Sequence, residues 1–126
     1  MVIDSKSQIL VVDDSAAIRG IVRKIMAKLG CTGVDEASDG TAALAKINEK
    51  LYGLVISDWN MEPMTGKELL EQVRGKKKLE KRPFIIMTTE SDQYKILEAK
   101  YAAVRFISKP FSAEELQSKI LKIDAV

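Results

Sequence analysis

Five residues in this chain combine a reactive type with a setting that chemistry could use: Asp13, Asp14, Asp58, Thr88 and Lys109. Each follows or ends an apolar run. Ile9-Leu10-Val11-Val12 lead into Asp13-Asp14, and Leu54-Val55-Ile56 with Ser57 lead into Asp58. Phe84-Ile85-Ile86-Met87 end on Thr88, and the stretch from Val104 to Ser108 is followed by Lys109-Pro110. Two carboxylates ~4 Å apart repel by roughly 4 kcal/mol at an effective dielectric near 20, so three gathered acids need a cation or a proton. Hard oxygen ligands at a half-open site suit Mg²⁺, which keeps several waters and is held by one or two carboxylates plus a phosphate. A hydroxyl and an ammonium beside such a cluster favour an anion. The chemistry this set predicts is transfer of a phosphoryl group onto an aspartate.

For these residues to meet, their apolar runs must be parallel strands that finish at one edge. Leu54 to Ile56 is apolar without a break and β-branched at two of three positions, as a strand buried on both faces would be. In open α/β sheets, ligands bind outside the carboxyl ends of the strands, where Asp58 falls. Strands are predicted from Gln8 to Asp13, Gly33 to Ala37 (weakly apolar, hence an edge), Gly53 to Asp58, Pro83 to Thr88 and Val104 to Ser108. Between them, Ser15 caps a helix with Ala17, Ile18, Ile21, Val22, Ile25, Met26 and Leu29 at helical spacing, stopped by Gly30. Asp39 caps a second helix carrying Ala42, Ala43, Leu44 and Ile47, fraying near Lys50. A third runs from Thr65 to about Val73, and a fourth from Ser91 or Asp92 through Tyr101. The last opens at Ser112 with a capping-box spacing to Glu115. This is βα five times over: an α/β fold with a five-stranded, doubly wound parallel sheet. The short connections favour right-handed crossovers.

At 126 residues the chain is expected to be one domain, spanning 1–126, with no output domain because only about a turn follows the last helix. Hydrophobic residues at 46% and charged residues at 30% are proportions of a folded soluble chain, not a disordered one. There is no histidine, which excludes a Ser-His-Asp triad, histidine metal ligands and a phosphohistidine within the chain. Cys31 alone excludes an internal disulfide and reads as a small buried residue. No signal peptide or membrane span is visible, so a cytoplasmic location is expected. Lys76-Lys77-Lys78 with Lys81 and Arg82 lacks interleaved aromatics and reads as a solvated loop, not a nucleic-acid surface. A dinucleotide fold would need a glycine-rich turn after the first strand. Here that turn, Asp13-Asp14-Ser15-Ala16-Ala17, is acidic and glycine-free.

Four segments taken together, Val-Val-Asp-Asp-Ser, Ser-Asp-Trp-Asn-Met, Met-Thr-Thr-Glu and Ser-Lys-Pro-Phe, make the chain resemble the receiver domain of bacterial two-component response regulators. Within that family it is most similar to the single-domain chemotaxis members, and the likeness runs from Ile9 to about Ile123. The resemblance implies the flavodoxin-like strand order 2-1-3-4-5. It implies that Asp58 accepts a phosphoryl group from the phosphohistidine of a chemotaxis-type histidine kinase. Asp13, Asp14, Asp58 and the Asn60 backbone carbonyl would then hold Mg²⁺, while Lys109 and Thr88 contact the phosphoryl group. The Lys109–Pro110 peptide is usually cis in the family. Asn60 and Glu90, two positions beyond Asp58 and Thr88, match the places that tune hydrolysis of the aspartyl phosphate. Phe106 and Tyr101 would belong to a switch and output surface.

The implied role is a signalling switch, not an enzyme beyond its own phosphorylation and dephosphorylation. Its partner would be the flagellar motor switch, the chain being a monomer that binds neither nucleic acid nor membrane. The alternative is a phosphate shuttle or sink serving a histidine phosphotransfer domain. Three departures from the family pattern bear on partners, not on the chemistry. Phe106 replaces a tyrosine, Pro63 lies one place later than usual, and Lys100-Tyr101-Ala102-Ala103 lacks a customary glycine. A rival class, the haloacid-dehalogenase phosphatases, needs a second acid two residues after the nucleophile. Asn60 stands there instead.

Overall fold

The computed structural model describes residues 6–75, 82–88 and 104–124. Among these, strands and helices alternate as β1 (Ile9–Val12), α1 (Ala16–Lys28), β2 (Val34–Ala37), α2 (Gly40–Glu49), β3 (Leu54–Asp58), α3 (Gly66–Arg74), β4 (Phe84–Thr88), β5 (Val104–Ser108) and α4 (Ala113–Asp124). All five strands are parallel, in the order β2-β1-β3-β4-β5. The expected order is therefore the observed one, and β3 lies at the centre. The helix expected over 91–101, and with it Glu90 and Tyr101, lies outside the described residues, as do Lys76 to Lys81.

The unbroken apolar runs have their reason in two separate cores. Ile9, Val11, Ile56 and Met87 face one layer, with Val22 and Met26 of α1 and Leu116 of α4. Leu10, Val12, Val55 and Ile86 face the other, with Ile47 of α2 and Leu69 and Leu70 of α3. Alternate residues of β1, β3 and β4 thus feed opposite layers, so these strands are apolar up to Ser57 and Asp58 of β3 and Thr88 of β4. Only β2, at the edge, can carry acids, Asp35 and Glu36, in mid-strand. Cys31 is buried. Met61 is buried in the second layer, and Met64 packs against it from the loop after β3.

Local sequence sets each helix end. Ser15 caps α1 by accepting from the Ile18 N–H at 3.3 Å, and Asp39 caps α2 through Ala42 N–H at 2.8 Å. Gly30 ends α1 at φ 86°, a left-handed conformation that glycine adopts without Cβ strain. The Ser112–Glu115 capping box at α4 is present in both directions, at 3.1 and 3.3 Å. Thr65 proves to be a cap, not a helical residue, and forms a second capping box with Glu68. Two expectations fail within α1, since Ala17 in its first turn is exposed as well as Ile21. Ile21 shares the helical spacing of the core face but is 47% exposed, because it sits at the margin of that face, over Pro110 and Phe111. No helix among the described residues is long and apolar enough to cross a membrane.

Candidate functional site

Strand register brings the chemistry together. Val12 of β1 pairs with Ser57 of β3, so Asp13 and Asp58 are the next residues on adjacent strands. Asp58 pairs with Met87, which puts Thr88 one step beyond it on β4, and Thr88 pairs with Ser108, so Lys109 follows directly. Lys109 N–H donates to the Thr88 carbonyl at 2.7 Å, carrying the β4–β5 ladder one rung past the strands. The Lys109–Pro110 peptide is cis, as the family likeness implies, and so is Glu62–Pro63.

The Lys109 ammonium lies between two acids. It donates to Asp13 Oδ2 at 2.9 Å and to Asp58 Oδ1 at 3.0 Å. Asp13 is 1% exposed and Asp58 7%, while Asp14 is exposed. Oxygen atoms of all three acids fall within 4.8 Å of one another. Burial is the largest influence on Asp58 and raises its pKa. The hydrogen bond and charge of Lys109 pull it back, Asp13 pushes it up again, and the Asn60 N–H lowers it slightly. The net is a carboxyl above the ordinary range. For Lys109, burial works against the charge, but its bonds to Asp13 and Asp58 outweigh that, and its pKa is raised. One half-buried ammonium faces both acids, and Asp58 stays raised beside it. The donor set, oxygen only and open on the Asp14 side, fits a hard divalent cation.

The other expected residues take distinct places. Thr88 is buried at the end of β4. Asn60 is exposed and shares with Asp14, Glu62 and Thr65 the wall of an open cleft of about 470 Å³ at the mouth of the acid cluster. Trp59 is half-buried against the second core layer, its backbone N–H on the Met87 carbonyl at 3.0 Å. Phe106, in β5, is half-buried against the same layer, with Lys119 Nζ of α4 5.1 Å from its ring centroid. The switch expectation at Phe106 therefore falls on a ring that is at once core and surface.

Two contributors carried no signal in the sequence pattern. Gly66 opens α3 against β3: a Cβ there would lie 2.3 Å from the Asp58 carbonyl oxygen and 2.9 Å from Trp59 Cα. Any side chain would push the end of β3 out of place. Arg19 reaches from α1 to the Asp13 carbonyl, with Nη1 donating at 2.6 Å, while its Nε donates to Glu36 at 2.9 Å. Only the helical phase of α1 puts Arg19 above the end of β1, and no motif flags it.

Comparison with known proteins gives a consistent picture. The family profile described as the response regulator receiver domain matches residues 9–121. Chemotaxis protein CheY of Pseudomonas aeruginosa is 39% identical over 117 residues, covering 92% of this chain and 94% of that protein. Chemotaxis protein CheY-3 of Vibrio cholerae is 36% identical over 123 residues, covering 97% and 95%. The crystal structure of chemotaxis response regulator CheY4 of Vibrio cholerae superposes with a TM-score of 0.84 at 34% identity, covering 93% and 98%.

Proposed function

The chain belongs to the response regulator receiver family, and from that premise we propose that it is a phosphorylation-driven switch with Asp58 as the phosphoryl acceptor. The observation that carries this reading is the Lys109 ammonium bridging Asp13 and Asp58 at one sheet edge, with Asp14 completing the cluster. An Asp58 oxygen attacks phosphorus as the bond to a donor histidine nitrogen breaks, and the imidazole leaves. Mg²⁺, held by Asp13, Asp14, Asp58 and the Asn60 carbonyl, would supply neutralising charge for the phosphoryl oxygens. Lys109 keeps its proton and moves its donors from the free carboxylate to the phosphoryl group. Thr88 gives a hydroxyl to the same group. Asn60 and Glu90 set how readily water reaches it.

The output follows from what those moves disturb. Thr88 and Phe106 lie on adjacent strands, so an inward shift of the hydroxyl makes room for the Phe106 ring to follow. Phe106 and Tyr101 then present a changed surface to a partner. The likeness to chemotaxis proteins supports a chemotaxis-type histidine kinase as donor and the flagellar motor switch as receiver, in the cytoplasm. Turnover of an outside substrate has no place in this reading: the only chemistry is gain and loss of one phosphoryl group.

Incubation with acetyl phosphate and Mg²⁺ should add a single phosphoryl group by mass spectrometry, and Asp58→Asn should abolish it. Wild-type labelling of that variant would overturn the assignment. A pull-down with flagellar switch protein should strengthen on phosphorylation. Equal capture in both states would refute the output reading.

A further inference from the structure

We infer that Arg19 is a positioning residue for the metal site, acting through the Asp13 main chain and not through any contact with the ion or the phosphoryl group. The inference deepens the Mg²⁺ reading above and rests on it. Every polar group of Asp13 is held. Its N–H donates to the Ala37 carbonyl at 3.1 Å, Oδ1 accepts from Ser15 N–H at 2.9 Å, and Oδ2 accepts from Lys109 at 2.9 Å. The fourth group, its carbonyl, accepts from Arg19 Nη1 at 2.6 Å. The first bond belongs to the sheet, the second to the turn, and the third to the site itself. Among the described residues, it is the Arg19 bond that ties the peptide between Asp13 and Asp14 to another element.

That peptide plane matters because Asp14 is exposed. Rotating it changes ψ of Asp13 and φ of Asp14 together, and so swings the Asp14 carboxylate relative to those of Asp13 and Asp58. Arg19 suits the task for a reason of shape. A guanidinium is a planar fork, so fixing one edge fixes the other. The Nε edge is fixed by Glu36 on β2 at 2.9 Å, and the side chain is only 17% exposed. Glu36 is in turn gripped by Arg23, with Nη2 at 2.9 Å. Hydrogen bonds from Arg19 and then Arg23 hold the Glu36 carboxyl below its usual range, so it stays charged near neutral pH. The chain Arg23–Glu36–Arg19–Asp13 carbonyl thus runs from the α1 surface to the edge of the site. Its last member sits where the acids must be aimed.

Arg23 provides a built-in control, since it braces the same helix against the same strand but does not reach Asp13. Partners that orient metal ligands typically change affinity by about tenfold or more when removed. Calorimetric titration of the full chain with Mg²⁺ should therefore give about tenfold weaker binding for Arg19→Gln. Arg23→Gln should stay within about twofold of wild type. Arg19→Lys should fall between, because an ammonium can reach the carbonyl but lacks the fork that Glu36 steers. Melting of the metal-free proteins supplies the second readout: Arg19→Gln and Arg23→Gln should lose similar stability although only one loses affinity. Wild-type Mg²⁺ affinity in Arg19→Gln, or equal weakening in Arg23→Gln, would overturn the inference. Asp13→Asn separates the two levels. If it too binds Mg²⁺ normally, the metal reading itself fails; if it binds poorly while Arg19→Gln binds normally, only the positioning role does.

Discussion

Asp35 and Asp58 each accept a lysine ammonium at 3.0 Å, from Lys50 and Lys109, yet their carboxyl groups are driven in opposite directions. Asp35, towards the amino end of the sheet, has its pKa lowered, first by the Tyr52 hydroxyl at 2.7 Å and then by Lys50. Asp58, at the carboxyl end, has its pKa raised, first by burial, against the pull of Lys109. Exposure decides the difference: the Asp35 side chain is 36% exposed and that of Asp58 9%. Asp35 keeps part of its hydration, and the groups that bond it, Tyr52 and Lys50, both donate. Asp58 has lost its water, and one near neighbour, Asp13, is another acid. The first network is complete without a ligand. The second gathers acids around a raised carboxyl, an arrangement that added positive charge would relieve.

Replacing the two aspartates by asparagine should break the comparison most sharply. Asp58→Asn abolishes phosphoryl uptake, whereas Asp35→Asn leaves uptake at the wild-type level. Their effects on metal-free stability should have opposite signs. The raised Asp58 pKa means that the folded state binds its proton more readily than the unfolded state. Its contribution is favourable below the unfolded value of about 4, and is lost as pH rises through the higher folded value. Asp58→Asn should therefore melt above wild type at neutral pH, the gap closing as pH falls. For Asp35 the folded pKa is lowered, so its contribution is present above about pH 4 and lost on further acidification. Asp35→Asn should melt below wild type at neutral pH and converge with it in acid. Calorimetric melts in a chelator across pH 3 to 8 would test both; same-sign shifts at neutral pH would defeat the contrast.

That contrast also marks where sequence reasoning ran out. Asp13, Asp58, Thr88 and Lys109 were legible because each ends or directly follows a largely apolar strand, and parallel pairing leaves one edge on which they can meet. Ser15, Asp39 and the Ser112–Glu115 box were legible because caps are local. Tyr52 and Asp35 were not, since they lie 17 residues apart and nothing in either segment announces the other. Arg19 was hidden for the same reason, its two acceptors being set by helix phase and tertiary packing. Ile21 misled because periodicity gives a face but not how far a neighbouring element covers it.

Removing Lys109 should show how much of the second network depends on one cation. Lys109→Ala leaves Asp13 and Asp58 facing each other, buried, with no ammonium between them. Losing one partner of a buried pair costs roughly 3 to 5 kcal/mol; the 20% exposure of the Lys109 side chain argues for about 2 to 3 here. Urea melts should show that loss without metal and its partial recovery in Mg²⁺. The variant should still accept phosphate but lose phosphate-dependent partner binding if, as proposed, the ammonium couples the new charge to Thr88. Phosphate-dependent binding at wild-type strength would disprove the coupling.

Tyr52→Phe sharpens the other side at smaller cost. It deletes the hydroxyl that is the largest single cause of the lowering at Asp35, while the ring of Tyr52, a residue 4% exposed, stays in the second core layer. Loss of one hydrogen bond to a partly hydrated carboxylate should cost about 1 kcal/mol. The acid limb of the stability curve should move up towards the ordinary carboxylate range. Mg²⁺ affinity should not change. A shift in that affinity would mean that the two ends of the sheet are coupled, and that the first network is not self-contained.

The smallest effect expected is optical, and it reports the second network directly. Trp59 is the sole tryptophan, and it follows Asp58. Its ring is half-buried against the second core layer and does not lie fully along the open rim. Its main chain is pinned between Met87 on β4 and Gly66 on α3, at 3.0 and 2.9 Å. With its main chain held and its ring partly covered, the indole lies close enough to the acid cluster for its emission to respond to added charge. Two positive charges added to the acid cluster, then negative charge on Asp58, should shift the emission in succession. Titration with Mg²⁺ should give a single saturable change of modest amplitude, and acetyl phosphate a further one. Asp13→Asn or Asp14→Asn should move the first midpoint to higher Mg²⁺, whereas Asp58→Asn should remove the second step. Asp35→Asn and Tyr52→Phe should leave both steps where they were. Emission that tracks the Asp35 variants instead would place the responsive charge at the wrong end of the sheet.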